Sequence, residues 1–299
     1  MANWKGQSRG TPLGYQIFIL LIKYAGIRSA YFLLYFVSFY FVFFGNSKPQ
    51  KFYFQKIHQR NGWTSFWSRY RNNFRFGQVL IDKVAALSGN ASQFTFDFDG
   101  ESHLREMTNG GFMIGGHMGN WEIAGELLKR LDTKVNILMY ENERQQIKHL
   151  LEEVETEKTM KIITIQEDMS HVLAIKAAID QNEIVVIHGD RYTEGAPSIP
   201  ANFMGKKALF PYGPFYLAAR FNKPISFAFA FKESAKHYHF YATPLKIYPR
   251  IKNLSDRKLV SAMVLHDYIA QLELMVKKYP EQWFNFYEFW EEEKNNQNA

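Results

Sequence analysis

The chain has 299 residues, of which 46% are hydrophobic and 22% are charged. This composition supports a large buried core and excludes a disordered chain, and a mean hydropathy of −0.30 excludes a protein with many membrane spans. The absence of cysteine excludes disulfide scaffolds, thiolate nucleophiles and Cys-ligated zinc sites. A net charge of +7 together with 17% aromatic residues predicts an anionic partner, either a membrane surface or a nucleic acid.

The N-terminus contains two apolar stretches, Tyr15–Ile22 and Ala30–Phe44, which Lys23 and Arg28 separate. As a helix the second stretch is only roughly 20–25 Å long, below the ~30 Å of a hydrocarbon core. We therefore predict that residues 1–46 form an uncleaved membrane anchor, either a tilted span or a helical hairpin in the interface. The alternative is a buried pair of hydrophobic helices. Residues 47–299 form the second, larger domain.

The segment Lys48–Lys83 is basic and aromatic. It carries eight Lys and Arg residues against one acid, Asp82, and aromatic residues are interleaved with them. Trp and Tyr favour the headgroup level of a membrane, and cations attract anionic lipid. The same mixture could bind nucleic acid, but the apolar run upstream favours a membrane surface, and we expect no nucleic-acid partner. An ordinary solvated helical face is the remaining alternative.

Beyond residue 111, strand and helix patterns alternate. This order predicts an α/β fold, with a mainly parallel sheet flanked by helices, behind the membrane-associated helical segment. The predicted strands are 112–116, 135–140, 161–165, 183–190, 224–231 and 237–247, and the predicted helices are 120–131, 143–157, 170–181, 215–221 and 255–278. The Gly/Pro-rich stretch Thr193–Pro214 is predicted to be a loop.

The motif GGHMGNWE, residues 115–122, combines residues suited to acid–base chemistry. His117 lies where a strand should end and a helix begin, the usual place for ligands in α/β sheets. A neutral imidazole there can act as a general base, and Glu122 in the following turn could orient it. No serine is evidently paired with His117, so the nucleophile is expected to be a hydroxyl of the substrate. Gly116 and Gly119 would let the substrate approach the backbone.

Other interpretations of this motif remain open. Glycine-rich turns also hold phosphates, although neither GxGxxG nor GxxxxGK[ST] occurs here. His117 could also be a purely structural histidine. A zinc site would require HExxH or a cysteine pair, and neither is present, so no metal is expected.

The box HMGNWE resembles the HxxxxD/E motif of the lysophospholipid acyltransferase superfamily. With Asn-Trp before the acid, it is similar to the late acyltransferases of lipid A biosynthesis. Further segments are similar to this family: YRNNFRFGQVLID (70–82), HGDRY (188–192), FMGKKALFPYGPFYLA (203–218) and YPEQWFNFY (279–287).

The resemblance implies that residues 47–299 are an acyltransferase domain. It would move a fatty acyl chain from acyl carrier protein or CoA to a hydroxyl of a membrane lipid, at the cytoplasmic face of the inner membrane. His117 would be the base and Glu122 its partner, and the acyl thioester is a co-substrate, so no other cofactor is implied. Backbone amides of residues 116–119 are candidates to stabilise the oxyanion. The candidate substrate-binding residues are Gly116, Gly119, Asn120, Arg144, Asp190, Arg191, Lys206 and Lys207.

Overall fold

The computed structural model describes residues 12–45, 47–86, 91–120, 123, 133–140, 160–166, 168–192 and 195–291. Its helices are α1 (Pro12–Phe44), α2 (Lys48–Phe52), a π-helical segment (Tyr53–Ile57), α3 (Gly62–Ala85), α4 (Glu101–Arg105), α5 (Ser170–Asp180), α6 (Tyr212–Arg220) and α7 (Leu254–Lys278). Its strands are β1 (Thr95–Asp99), β2 (Gly111–Gly115), β3 (Val135–Tyr140), β4 (Met160–Ile165), β5 (Ile184–His188), β6 (Ser198–Phe203), β7 (Lys206–Pro211), β8 (Ile225–Lys232) and β9 (His237–Ala242).

Seven of these strands form one sheet in the order β1-β9-β8-β2-β5-β3-β4. Every neighbouring pair is parallel except β8 and β9, which form an antiparallel hairpin. The predicted fold class, a mainly parallel sheet with helices, is therefore confirmed. Strand β3 has the predicted bounds, and β2, β4 and β5 differ from their predicted bounds by at most two residues.

Several predicted elements differ from the structure. The predicted loop Thr193–Pro214 instead contains the hairpin β6–β7, whose turn residues Met204 and Gly205 have φ values of 53° and 79°. A two-residue hairpin turn of this type requires a positive φ at both positions. The dipeptide Met-Gly is a weaker sequence signal for such a turn than Asn-Gly or Asp-Gly. The edge strand β1 was not predicted. The helices predicted over 120–131 and 143–157 lie, apart from Asn120 and Ile123, outside the described residues.

The centre of the sheet is β2, whose five residues are all buried. Phe112 and Ile114 pack against the core that includes Tyr268 and Leu272 of α7, whereas Met113 joins a second cluster on the other face. This alternation follows from the period of two along a strand. Buried on both faces, β2 is a rigid support for the residues that follow it.

Helix α1 consists of two helical segments joined at Gly26, which has φ 78° and ψ 168°. Beyond this kink, α1 packs along α3. Leu34 fills the space left by the missing side chain of Gly77, since a Cβ there would lie 2.3 Å from Leu34 Cδ1. The ring of Tyr35 stacks on Phe74 with centroids 4.6 Å apart. The pairing of α1 with α3 requires the glycine at position 77.

A buried ion pair also fastens α1 to the sheet. Lys232 at the end of β8 contacts Asp82 of α3, and both side chains are fully enclosed. Tyr31 of α1 donates to Asp82 and lies 3.1 Å from Lys232 Nζ, and Tyr238 of β9 donates to the same carboxylate. Because removal of one partner would leave an uncompensated buried charge, at a cost of about 3–5 kcal/mol, this cluster ties together elements far apart in the sequence.

Candidate active site

His117 and Asp190 lie side by side, just beyond the ends of two neighbouring strands. Strands β2 and β5 are parallel neighbours with Gly115 opposite His188. The amide of Gly189 donates to Gly115 O at 2.9 Å, which extends the pairing by one step. His117 and Asp190 each lie two residues beyond this register. They therefore meet at the carboxyl edge of the sheet, where α/β proteins bind ligands.

The two side chains form a hydrogen-bonded dyad. His117 Nδ1 lies 2.7 Å from Asp190 Oδ1, and the backbone amide of His117 donates to Oδ2 of the same carboxylate at 2.8 Å. The imidazole retains 14% of its side-chain exposure, whereas the carboxylate retains 1%. Asp190 thus lies behind His117 and holds both its ring and its backbone.

Asp190 is a carboxylate at neutral pH. Burial by itself would raise its pKa, but the charge of and hydrogen bond from His117, with the charges of Arg191 and His188, bring that pKa well below its ordinary value. An ionised carboxylate only accepts hydrogen bonds, so Nδ1 of His117 carries the proton. Nε2 is then the ring nitrogen that can accept a proton from a substrate.

The C-terminal segment holds Asp190 in place. Trp283 Nε1 donates to Asp190 Oδ2 at 3.1 Å, and Tyr287 Oη donates to the Asp190 carbonyl at 3.0 Å. Tyr268 of α7 donates to Gly115 O at 2.9 Å, just before the dyad. The sequence analysis did not assign roles to these three residues. Trp283 and Tyr287 stand in the segment YPEQWFNFY, which the family resemblance had already singled out.

The loop after β2 has little room for added side chains. A Cβ at Gly116 would lie 2.9 Å from Tyr268 Oη and 3.2 Å from Asp190 Cγ. Gly119 has φ 57°, and a Cβ there would lie 1.9 Å from Ala230 O. Both glycines therefore allow the loop to pack closely against neighbouring parts of the protein. Their contact with substrate remains a prediction.

Most backbone amides of this loop are already hydrogen-bonded. Those of His117, Met118 and Gly119 donate to Asp190 Oδ2, Gly116 O and Gln282 O, respectively. These three amides are thus occupied within the protein, and the oxyanion role of the amides of residues 116–119 stays a prediction. Gly116 is the remaining candidate of that set.

Asn120 is completely buried and serves the local structure. Its Oδ1 accepts from the amide of Ile123 at 3.1 Å, as a helix-capping side chain does, and its Nδ2 donates to Tyr238 Oη at 3.2 Å. Arg191, next to the dyad, donates to Phe284 O at 2.5 Å. Phe284 in turn donates from its amide to His117 O at 2.9 Å. Asn120 and Arg191 are thus brought to the same edge as His117.

The other predicted site residues lie elsewhere. Both Lys206 and Lys207 lie on β7, where Lys206 is half-buried and Lys207 is exposed. The next residue, Ala208, forms an isolated β-bridge with Trp290. Glu122 and Arg144 fall outside the described residues, so the predicted pairing of Glu122 with His117 stays a prediction. Within the described parts of the chain, no three His, Asp or Glu side chains are grouped so that they could hold a metal ion.

Comparison with known proteins connects this geometry to a family. The family model described as bacterial lipid A biosynthesis acyltransferase matches residues 72–292, well over half of the chain. No protein of curated function matches the chain in sequence. Among solved structures, the 1-acyl-sn-glycerophosphate (LPA) acyltransferase PlsC from Thermotoga maritima is similar over 86% of this chain and 97% of that chain. The identity is 9% and the TM-score is 0.37. The match over residues 72–292 confirms the resemblance seen in the sequence: the chain is an acyltransferase and belongs to the bacterial lipid A biosynthesis acyltransferase family.

Proposed function

We propose that this acyltransferase moves a fatty acyl chain from an acyl thioester, on acyl carrier protein or CoA, to a hydroxyl of lipid A or its precursor. The observation that carries the proposal is the dyad: His117 Nδ1 lies 2.7 Å from the buried Asp190 carboxylate, within the HMGN loop of a chain from this family. An imidazole held in one tautomer is what the activation of a neutral hydroxyl requires.

The reaction follows from the tautomer. The acceptor hydroxyl gives its proton to His117 Nε2 as its oxygen attacks the thioester carbonyl carbon. The carbonyl electrons move to oxygen and form a tetrahedral oxyanion, for which the Gly116 amide is a candidate donor. The oxyanion collapses, the C–S bond breaks, and the leaving thiolate takes the proton from the imidazolium. Asp190 stays ionised and stabilises the imidazolium throughout.

Phosphate recognition is assigned to three cations that the structure describes. Arg191 is adjacent to the dyad, and Lys206 and Lys207 are on the β6–β7 hairpin. The guanidinium fork suits a phosphate on the lipid or on the donor, and lysines act as point charges. We keep Arg144 as a further candidate from the sequence. No metal or cofactor is included in the proposal, because the thioester itself supplies the activated acyl group.

Membrane association is proposed for the exposed face of α1. Two described helices, Gln16–Phe44 and Leu254–Lys278, are long and apolar enough to cross a membrane, with 17% and 44% of their most apolar window buried. The first has apolar residues on opposite faces: Ile27, Tyr31 and Leu34 are buried, whereas a row of large aromatic side chains is exposed. That row is Phe32, Phe36, Tyr40, Phe43 and Phe44, between 58% and 77% exposed. Such a contiguous apolar surface needs a second partner, and a lipid surface matches it. The site would work on the cytoplasmic face of the inner membrane, where thioester donors occur.

Replacement of Phe32, Phe36 and Phe43 by Ser should weaken vesicle binding at least about 100-fold, because each buried Phe contributes roughly 1.5–3 kcal/mol. Flotation with phospholipid vesicles measures this partition. The control replaces three exposed apolar residues outside both of these helices, Met169, Leu173 and Ile247. Equal loss in both triple variants would contradict the assignment of α1. These substitutions are better than removal of the first 45 residues, which would also take Tyr31 from the buried cluster.

Mass spectrometry of the reaction products tests the acceptor and the donor. We expect the products to show acyl transfer to a lipid A precursor.

The salt dependence of kcat/KM tests the donor. The value with acyl carrier protein should fall more steeply as salt rises than the value with acyl-CoA, because an acidic carrier is attracted electrostatically to a basic chain. The substitutions K206E and K207E should reduce that salt dependence. Transfer only to a lysophospholipid or an aminolipid would show that one of these lipids, and not a lipid A precursor, is the acceptor. If the thioester stays intact with every acceptor tested, the chain is a non-catalytic lipid-binding protein.

A further inference from the structure

Arg69 on α3 is a buried cation whose charge is not balanced nearby. The residue is 7% exposed, and its Nε is enclosed without a hydrogen-bond partner. Its recorded contact is the ring of Phe66, 5.7 Å from the guanidinium carbon. No described carboxylate lies within ion-pair distance of Arg69. Of the guanidinium nitrogens, Nε is the one enclosed without a partner; because an arginine cannot lose its proton in a protein, this is a charged group that is partly withdrawn from water.

Two further donors lie on the same face of α3. Ser65 and Asn73 are four residues before and after Arg69, so the three side chains stand one above another. Ser65 Oγ and Asn73 Nδ2 are both enclosed and have no partner among the described residues. The orientation of the Asn73 amide is set by Gln50, whose Nε2 donates to Asn73 Oδ1 at 2.8 Å. The NH₂ group is therefore the end that is left without an acceptor.

This face lies close to the catalytic edge. Phe76, one turn beyond Asn73, contacts the rings of Phe284 and Phe286 at 5.1 and 5.2 Å. Asn285 lies between them in sequence, and its Nδ2 is also enclosed without a partner. Phe284 donates to His117 O, so the segment 284–286 separates the α3 face from the dyad.

We propose that Ser65, Arg69 and Asn73 form a binding site for a phosphate group, which small movements of these side chains would admit. The guanidinium Nε, the hydroxyl and the amide NH₂ are donors without an acceptor among the described residues, and a tetrahedral phosphate offers several oxygens to one such set. A buried unpaired charge is costly to the free protein, and an anion removes that cost. The proposal rests on the proposed function for the source of the phosphate: a phosphate on the lipid acceptor, with the phosphates of the donor as the other source.

Burial lowers the pKa of Arg69, and no charge among the described residues opposes that shift. This agrees with a cation that has lost water and gained no counter-ion. By contrast Arg71, two residues on, is exposed on a different face of α3 and lines an open pocket of about 610 Å³ with Trp63 and Trp67. Arg71 is therefore the matched control: the same side chain, on the same helix, outside the proposed site.

Thermal unfolding of the full chain in detergent tests the site. Three probes are added separately: inorganic phosphate, a lipid phosphate monoester in micelles, and CoA. The unmodified chain should be stabilised by one of them, because a ligand that binds only the folded state raises the Tm. R69M should have a higher Tm than the unmodified chain without any probe, since it removes an unpaired buried charge. It should bind the stabilising probe about 10–100-fold more weakly, and R71M should respond like the unmodified chain.

The outcomes separate the sources and can overturn the site. Stabilisation by the lipid phosphate identifies the acceptor side, stabilisation by CoA identifies the donor, and stabilisation by inorganic phosphate alone identifies a free-anion site. A lower Tm of R69M without probe would show that Arg69 is structural. An equal loss of the Tm increase in R69M and R71M would show that the probe binds through general surface charge. No Tm increase in the unmodified chain with any probe would reject the site. None of these readouts depends on acyl transfer, so the site can fail while the proposed function stands, and the reverse.

Discussion

Replacement of His117 by Ala is expected to reduce acyl transfer by at least about 10²–10⁴-fold, the usual contribution of a general base. In the proposed mechanism the imidazole accepts the proton of the acceptor hydroxyl and later returns it to the thiolate, and alanine can do neither. The substitution leaves Asp190 without its ring partner but with its hydrogen bonds from the His117 amide and Trp283 Nε1. Single-turnover transfer, with lipid product and free thiol both measured, gives the rate directly.

A matched control for this variant is H266A. His266 lies on α7 with a side chain that is 85% exposed, so its loss should leave both stability and turnover unchanged. Circular dichroism of both variants shows whether the fold is retained. Near-normal transfer by folded H117A would remove the histidine from the mechanism.

Replacement of Asp190 by Asn should cost about 10³–10⁴-fold in kcat, although the side chain has almost the same shape. Oδ2 accepts from two donors, the His117 amide and Trp283 Nε1, so the amide oxygen of an asparagine would take that position. Its NH₂ group would then face His117 Nδ1 and would need an acceptor there. The proton would move to Nε2, and the ring could no longer act as the base. The corresponding substitution in a Ser-His-Asp triad has a cost of about 10⁴-fold for this reason.

The KM for the donor should change little in D190N, because the carboxylate is enclosed behind His117. The control is D267N. Asp267 of α7 also accepts hydrogen bonds, from Lys246 and from Tyr248 at 2.6 Å, but stands away from the dyad. A large loss in D267N as well would point to a general loss of stability, and a rise in KM without a fall in kcat would place Asp190 in substrate binding.

The framework and the position of His117 just beyond a central strand could be predicted from the sequence. The apolar runs that became β2, β3, β4 and β5 are short and bounded by turn residues, so the parallel α/β order could be predicted. Gly116 and Gly119 marked the turn that follows β2. These signals are local, since each depends on residues within a few positions of one another.

The partner of His117 depended on topology. Asp190 is 73 residues away in sequence, and only the pairing of β2 with β5 brings it within 2.7 Å. Glu122 is near His117 in sequence, so the sequence alone favours it for the orienting role and leaves Asp190 as a candidate for substrate binding. A clue was present: GGH and HGD both follow buried strands, and an acid and a histidine at equivalent positions of two parallel strands meet if those strands are neighbours.

The packing of α1 could not be predicted for a similar reason. Tyr31, Asp82 and Lys232 are separated by 51 and 150 residues along the chain. Hydropathy showed that α1 is apolar but not that its two faces differ in burial. That difference appears only when α3 lies against one face, with Gly77 opposite Leu34.

The most direct test of the dyad is a double-mutant comparison of H117A, D190N and the variant that carries both substitutions. Single-turnover acyl transfer from a thioester donor is measured for all three and for the unmodified chain. If Asp190 acts only by holding His117, then D190N should add almost no loss once His117 is absent, and the double variant should be as slow as H117A. If the two losses multiply instead, Asp190 has a separate role in the reaction and the dyad is contradicted.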